Sequence, residues 1–412
     1  MNHIEALLRR LAPDGVESRS LGEIGQLVRG HSMPKTDFVE SGIGAIHYGQ
    51  IYTYYDTWTA TTLSHVAPTT ATRLAKVDPG DVIITNTSEN LDDVGKAVAW
   101  LGDHQIVTGG HATVFKHQQD PKFISYWFQT PHFYNQKKRL ATGTKVIDVS
   151  ASNLAKVRIP LPPLEIQRTI VEVLDTFRSL EAELAAELEA ELEARRRQYR
   201  HYRDALLTFH ERERVRRAPM SELGTFRRGR RFTKADLVAV GIPSIHYGEI
   251  YTDYGVAAQV ARCHVRTDLH AALRYAHEGD VIIAGVGETV EDVGKAVAWL
   301  GAEPIAYHDD CFAFTHAMNP KFVSYAMQTQ DFHGQKGKFV SRAKVKRLSA
   351  EGLGKIMIPA PERKKQDRIV EVLDSFDALV IDLSIGLPAE LAARRTQYEH
   401  YRDKLLTFPE AS

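Results

Sequence analysis

Two clusters of cations carry the clearest chemistry in this chain: Lys137, Lys138, Arg139 and Lys145, then Lys336, Lys338, Arg342, Lys344 and Lys346. Ammonium and guanidinium groups at this density suit the phosphates of a nucleic-acid backbone, where each contact releases condensed counter-ions. Two further segments add to them. Gly30–Asp37 (GHSMPKTD) and Gly229–Asp236 (GRRFTKAD) share Lys35 and Lys234, and the second is made more basic by Arg227, Arg228, Arg230 and Arg231. They read as DNA contacts or as solvated turns. His47-Tyr48-Gly49 and His246-Tyr247-Gly248 set a donor and an aromatic ring beside a flexible glycine, which fits base contact and core packing equally. Asn86, Thr87 and Ser88 have the amide and hydroxyl groups that read base edges, and Gly285–Thr289 takes their place in the second half. Lys96 and Lys295 begin strands, where they are phosphate contacts or exposed sheet positions.

No reaction chemistry accompanies these cations. The 18 histidines show no metal-ligand spacing accompanied by cysteine, and Cys263 and Cys311 form neither a disulfide framework nor a four-thiolate site, so no metal is expected. Both thiols are expected to be free and buried. A G-x-x-x-x-G-K-[ST] phosphate loop is absent, Gly285-Val286-Gly287 lacks the rest of a dinucleotide fingerprint, and no Asn/Asp-Pro-Pro-aromatic methyltransferase motif occurs. Asp92, Asp93, Glu291 and Asp292 are the one repeated acidic cluster near the loops. A nuclease would need a metal-binding arrangement there, and none is evident. No catalytic residue is assigned. Lys+Arg and Asp+Glu both number 52, so a nucleic-acid surface must concentrate its positive charge locally. With no apolar run long enough for a membrane span and an amphipathic Met1–Arg10, the chain is expected to be soluble and cytoplasmic.

These residues sit in a duplication. Ile46–Thr53 (IHYGQIYT) recurs as Ile245–Thr252 (IHYGEIYT), and Asp93–Gly102 (DVGKAVAWLG) recurs unchanged as Asp292–Gly301, both at an offset of 199. Arg195–Phe209 matches Arg394–Phe408 at the same offset, so the copies differ by no net insertion between these blocks. Ala6-Leu7-Leu8 aligns with Ala205-Leu206-Leu207, which predicts that the chain begins in a helix tail and that its two ends lie near each other.

Each copy has two parts. The first, about 12–160 and 211–359, is rich in β-branched and aromatic residues, with strands expected at Asp81–Thr85, Lys96–Leu101 and Ala112–Phe115 and at their copies. A helix is expected after Asp120-Pro121 and after Asn319-Pro320, with Asp or Asn as the cap and Pro in the first turn. The second part, about 163–209 and 362–408, carries an apolar stripe through Ile166, Ile170, Val173, Phe177, Leu180 and Leu184 and on to Phe209. It reads as a rod of about 70 Å at 1.5 Å per residue, too long for one small globule and therefore paired with its copy. Gly386 and Pro388 predict a kink or break in the second rod. Tyr199, Tyr202, Tyr398 and Tyr401 fall at helical spacing, as core of the paired rods. The fold class is α+β: two similar α/β domains separated by two long antiparallel helices forming a coiled coil, with pseudo-twofold symmetry.

The punctuated segment Ile159–Ile170 (IPLPPLEIQRTI) leads into the first rod, and Ile358–Ile369 (IPAPERKKQDRI) leads into the second. Together with the duplication and the Gly-Asp-Val-Ile strands, it resembles the specificity subunit of Type I restriction-modification systems over the whole chain. The second segment departs from that family's Pro-Pro-Leu, having Pro361-Glu362-Arg363. The resemblance implies a first target-recognition domain at 1–160 with an N-terminal helix at 2–11, and a central long helix at 161–210. A second recognition domain at 211–359 and a C-terminal long helix at 360–412 follow. It further implies double-stranded DNA as ligand, read as a bipartite gapped site, and two methyltransferase subunits docked on the helices. Because the copies share whole strands and loops, the two half-sites are expected to be similar and the target nearly palindromic, with an adenine methylated in each half. Restriction/translocase subunits would complete the complex. S-adenosylmethionine, ATP and Mg would then belong to those partners, with no cofactor on this chain. The rival reading is a coiled-coil scaffold whose globules bind proteins.

Overall fold

This computed structural model describes residues 2–209, 214–341 and 343–411, the side chains of residues 2, 383 and 385 apart. Its β-rich parts repeat strand for strand. In the first, Gly25–Arg29, Ala112–His117, Val82–Thr85, Ala97–Trp100 and Trp58–Thr59 form one five-stranded sheet in that order. Phe38–Val39, Ser64–Val66, Ile43–Ile46, Ile106–Thr108 and Ala75–Val77 form the other. In the second domain the corresponding strands give the same two orders. Val82–Thr85 and Ala97–Trp100 are buried at every position, as strands covered on both faces must be.

The predicted short helices form at Pro121–Trp127 and Pro320–Ala326, and the Asp120 and Asn319 side chains accept from the Phe123 and Phe322 amides. Each such helix fixes the start of a long one. Gln167, wholly buried, accepts from the Asp120 amide at 3.0 Å and donates to the Pro162 carbonyl at 2.8 Å. Gln366 repeats this with the Asn319 amide at 2.7 Å and the Pro361 carbonyl at 2.7 Å. Two turns further on, Lys122 and the Tyr126 hydroxyl both reach Asp175 (2.5 and 2.7 Å). Lys321 and Tyr325 reach Asp374 in the same way (2.7 and 2.9 Å). The Pro…Gln punctuation is thus a clamp between domain and helix. Removing a buried amide that serves two backbone groups leaves both unpaired. Gln366→Ala is expected to lower stability by about 1–3 kcal/mol, read as a shifted denaturant midpoint. An unchanged midpoint would mean that water replaces the clamp.

The long helices run Leu164–Leu207 and Arg363–Leu405. They start at corresponding positions, so the missing Pro-Pro-Leu of the second copy does not move the helix start. The break expected at Gly386 and Pro388 does not occur: the second helix continues through both. Proline removes one intrahelical bond, and the helix is anchored on either side of it, by Ile369, Val370 and Leu373 before and by Leu405 and Leu406 after.

The chain divides into two compact units, residues 1–186 with 389–412, and residues 187–388. Each contains a β-rich domain, the first half of one long helix and the second half of the other. Within the first unit Phe177 stacks on Tyr401 at 6.0 Å, and within the second Tyr202 stacks on Phe376 at 5.5 Å, so these tyrosines do pack between helices. Leu405 and Leu406 enter the first unit's core beside Ile166, Ile170, Leu174 and the N-terminal helix Asn2–Leu11. Val16 bridges to Glu410, which brings the first and last described segments together as the repeat predicts. Cys311 is buried, while Cys263 is half-buried with its Sγ 3.3 Å from Glu249 Oε2. Among the described residues no helix is long and apolar enough to cross a membrane.

Candidate nucleic-acid interface

In the first unit, four loops meet at one edge of the β-rich domain. Thr87–Ser88 pairs with Ile147–Asp148, which brings the segment bearing Lys145 against the one bearing Asn86. The Asn86 amide donates to the His111 carbonyl at 2.8 Å, and His31 forms a bridge with Gly109. Gly30 must be glycine for this approach, because a Cβ there would lie 2.0 Å from the Gly109 carbonyl oxygen. The surface so assembled presents Lys35, Thr87, Ser88, His111 and Lys145. Lys138 and Arg139 lie in the last turn of the helix Pro131–Leu140, which runs into the hairpin closed by the Thr142–Asp148 bridge. Lys35, Lys138, Arg139 and Lys145 are exposed, and their side chains have no ion-pair or hydrogen-bond partner among the described residues. Thr87 and Ser88 are half-buried, and Thr87 Oγ1 shares a hydrogen bond with His111 Nδ1 at 2.8 Å.

The second unit repeats the construction. Val286–Gly287 pairs with Lys346–Arg347, the Gly285 amide donates to the Asp310 carbonyl at 2.7 Å, and the Arg230 amide donates to the Tyr307 carbonyl at 3.2 Å. Arg230, Arg231, Lys234, Lys338 and Lys344 are exposed there. Arg342 lies outside the described residues.

His47 and His246 cap short helices: each accepts at Nδ1 from the amide two residues on (3.1 and 3.3 Å), while Gln50 or Glu249 returns the bond to the cap amide. Burial, with Lys35 and His111 nearby, lowers the affinity of His47 for a proton. Burial first, then His308, does the same for His246. Tyr48 packs on both His47 and His111 (ring centroids 4.4 and 4.7 Å), and Tyr247 packs on His246 and His308. The structure therefore favours a positioning role for the His-Tyr pairs, under the reading edge.

Three expected DNA contacts are corrected. Lys137 and Lys336 are buried, 4% and 1% exposed, not members of an exposed patch. Lys137 Nζ donates to the Asp92 and Val94 carbonyls at 3.0 and 2.7 Å, and Lys336 Nζ to those of Glu291 and Val293 at 2.9 and 2.7 Å. Each is the tie that holds the acidic loop before the DVGK strand, and burial pulls each ammonium down to a pKa of about 8. Asn86 is wholly buried as well, donating to the Val149 carbonyl at 2.7 Å and accepting from Thr113 at 2.8 Å. Its amide organises the loop and cannot reach a base. Lys96 and Lys295 are exposed but held by Asp93 (2.7 Å) and Asp292 (3.0 Å), beside Tyr52 and Tyr251. The acidic residues are thereby partners of lysines.

Of the other side chains on this edge, sequence pointed to Arg228 as part of a basic segment, but not to Arg29, Arg347 or the acids they face. Arg29 faces Asp148 at 3.9 Å in the first unit. In the second, Arg228 Nε donates to the Asp309 carbonyl at 2.6 Å with its carboxylate at 3.5 Å, and Arg347 lies 3.4 Å from Asp310. His308, Asp309 and Asp310 bring three potential ligand atoms within 4.8 Å of one another. However, His308 Nδ1 already accepts from the Asp310 amide and both acids face arginines, so the group is an ion-pair cluster. The available signal was the internal alignment. At the fixed offset, Gly109-Gly110-His111 stands opposite His308-Asp309-Asp310, and Asp148 opposite Arg347, amid otherwise matching strands.

The pattern of the Type I restriction modification DNA specificity domain matches residues 13–194, the first copy. The EcoR124I/EcoR124II specificity subunit of Escherichia coli is 29% identical over 315 residues, covering 70% of this chain and 71% of its own. A Haemophilus influenzae chain assigned as a type I restriction enzyme specificity subunit is 27% identical over 318 residues, covering 75% of this chain and 76% of its own. In fold, the chain is similar to one from a structure of the assembly and conformational transition of a type I R-M system, with TM-score 0.73 at 17% identity. That match covers 95% of this chain and 97% of the other. The HsdS subunit from Thermoanaerobacter tengcongensis matches with TM-score 0.60 at 16% identity, over 96% and 97% of the two chains. Residues 13–194 thus carry the pattern of the Type I restriction modification DNA specificity domain, and the chain as a whole is similar in sequence to Type I specificity subunits and shares the fold of chains from type I R-M structures.

Proposed function

We propose that each unit reads one half of a bipartite, gapped DNA site, and that the long helices carry the modification subunits of the complex. The observation that carries this reading is the recurrence, at one offset, of the same hydrogen-bonded loop edge with exposed cations: Lys35 and Lys145 in one unit, Lys234 and Lys344 in the other. Such cations position a duplex through its phosphates, and the polar groups between them face the bases. Along the helices, Leu180, Leu379 and Ile381 are half or more exposed, apolar surface suited to partner chains. Methyl transfer from S-adenosylmethionine to an adenine, and ATP- and Mg-dependent translocation, fall to those partners. The shared strands and loops make the two half-sites similar in length and in the placing of the methylated adenine.

The test is a genome-wide map of methylated adenines in cells with and without this gene. One gapped motif is expected to vanish on deletion. An unchanged map in cells that express the whole system would overturn the reading and favour a protein-binding scaffold.

A further inference from the structure

The two reading edges have the same backbone and differ in charge at corresponding positions, with a full reversal at one of them. Position 111 is His in the first unit and its counterpart is Asp310; position 148 is Asp and its counterpart is Arg347; Gly110 is matched by Asp309. The exchange is compensated within each unit. Arg29 meets Asp148 in the first, whereas in the second Arg228 turns to Asp309 and Arg347 to Asp310. Reversing one charge alone would have left two like charges facing each other. The second unit therefore gains a guanidinium where the first holds a carboxylate.

That guanidinium borders a small depression of about 180 Å³, lined by Arg228 and Arg347 with their partner acids Asp309 and Asp310, and by Gly285 and Val286. Gly285 keeps it open inward: a Cβ there would lie 2.6 Å from the Phe312 ring. Both arginines remain about half exposed (54% and 59% of the side chain) while paired with Asp309 and Asp310, which line the same depression. A tethered guanidinium differs from a free lysine. Its fork is fixed in direction, which suits the bidentate pair of acceptors on one base and is wasted on a phosphate that any mobile cation can serve. Guanine O6 and N7 are the acceptor pair with that geometry in the major groove.

The geometry points to Arg347 as a specificity-determining residue of the second unit, reading one guanine from the depression it shares with Arg228. Asp310 holds it in place. The first unit has Asp148 at that position and no second guanidinium, so the half-sites differ at this base and the full target is not a palindrome. This rests on the reading of each unit as a DNA reader.

The experiment maps methylated adenines in cells that carry the intact system with wild-type chain, Arg347→Lys, Arg347→Gln or Asp310→Asn. Arg347→Lys keeps the charge and loses the fork, so it preserves phosphate neutralisation and places little demand on folding. Discrimination for guanine at one position of one half-site is expected to fall about tenfold to hundredfold. The other half-site, the spacing and the methylated adenine should stay as they are. Asp310→Asn should relax the same position and no other. The assignment is overturned if Arg347→Lys keeps the wild-type motif, at full or uniformly reduced occupancy, or if several positions relax together. A wild-type map with no motif dependent on this gene would instead overturn the underlying DNA-reading function.

Discussion

Replacing Lys138, Arg139 and Lys145 together by glutamate is expected to weaken DNA binding by the assembled complex at every sequence alike and to flatten its salt dependence. The three side chains are exposed, unpaired among the described residues and grouped around one hairpin. Each phosphate contact contributes about 0.9 to the slope of log affinity against log salt, so losing three should reduce the slope by roughly 3. The methylation motif should stay the same, because phosphate contacts set register and affinity but carry no base information. Titrations at several salt concentrations would check this. An unchanged slope would remove these residues from the interface, and a changed motif would move them from phosphate to base.

Lys336→Ala should behave in the opposite way, costing stability and leaving the salt slope alone. The side chain is 1% exposed and its ammonium serves two backbone carbonyls. Truncation strands at least the buried Val293 carbonyl and removes packed methylenes, about 2–4 kcal/mol together. The effect carries a pH signature. Burial lowers the folded-state pKa to about 8, whereas an unfolded lysine titrates near 10.4. Between those values the unfolded chain binds more protons, so this group's contribution to stability rises with pH. The alanine variant lacks that rise, and the gap between wild type and variant should widen from pH 7 to pH 10. Denaturant melts across that range decide it. A constant gap would mean that the ammonium is not the group being titrated.

These two lysines mark where the sequence stops being legible. Lys137 and Lys138 are neighbours of the same type, and nothing in their spacing says that one ammonium turns inward to carbonyls 43 and 45 residues away while the next stays in water. Asn86 is similar: its amide reads as a base contact until the pairing of Thr87–Ser88 with Ile147–Asp148 encloses it. Features governed by short-range periodicity were readable, namely the strands Val82–Thr85 and Ala97–Trp100, the capped helix at Pro121 and both long helices. The persistence of the second helix through Pro388 was not, because it depends on anchors on both sides and not on the local breaker. Of the tethered arginines, Arg228 was visible as part of a basic segment and Arg347 only as a sign change against Asp148, and both acquire meaning once Asp309 and Asp310 are seen to face them.

The composition of the first unit bears on how this polypeptide is made. Its core is finished by Leu405 and Leu406, with Tyr398 and Phe408 packed against it, while its other buried residues lie before residue 187. At roughly 5–20 residues per second on the ribosome, the earliest-made domain waits some tens of seconds for its last side chains. During that interval the place on this core that Leu405 and Leu406 fill stays open. The second unit, drawn from one continuous stretch, can close first, so the order of maturation is the reverse of the order of synthesis.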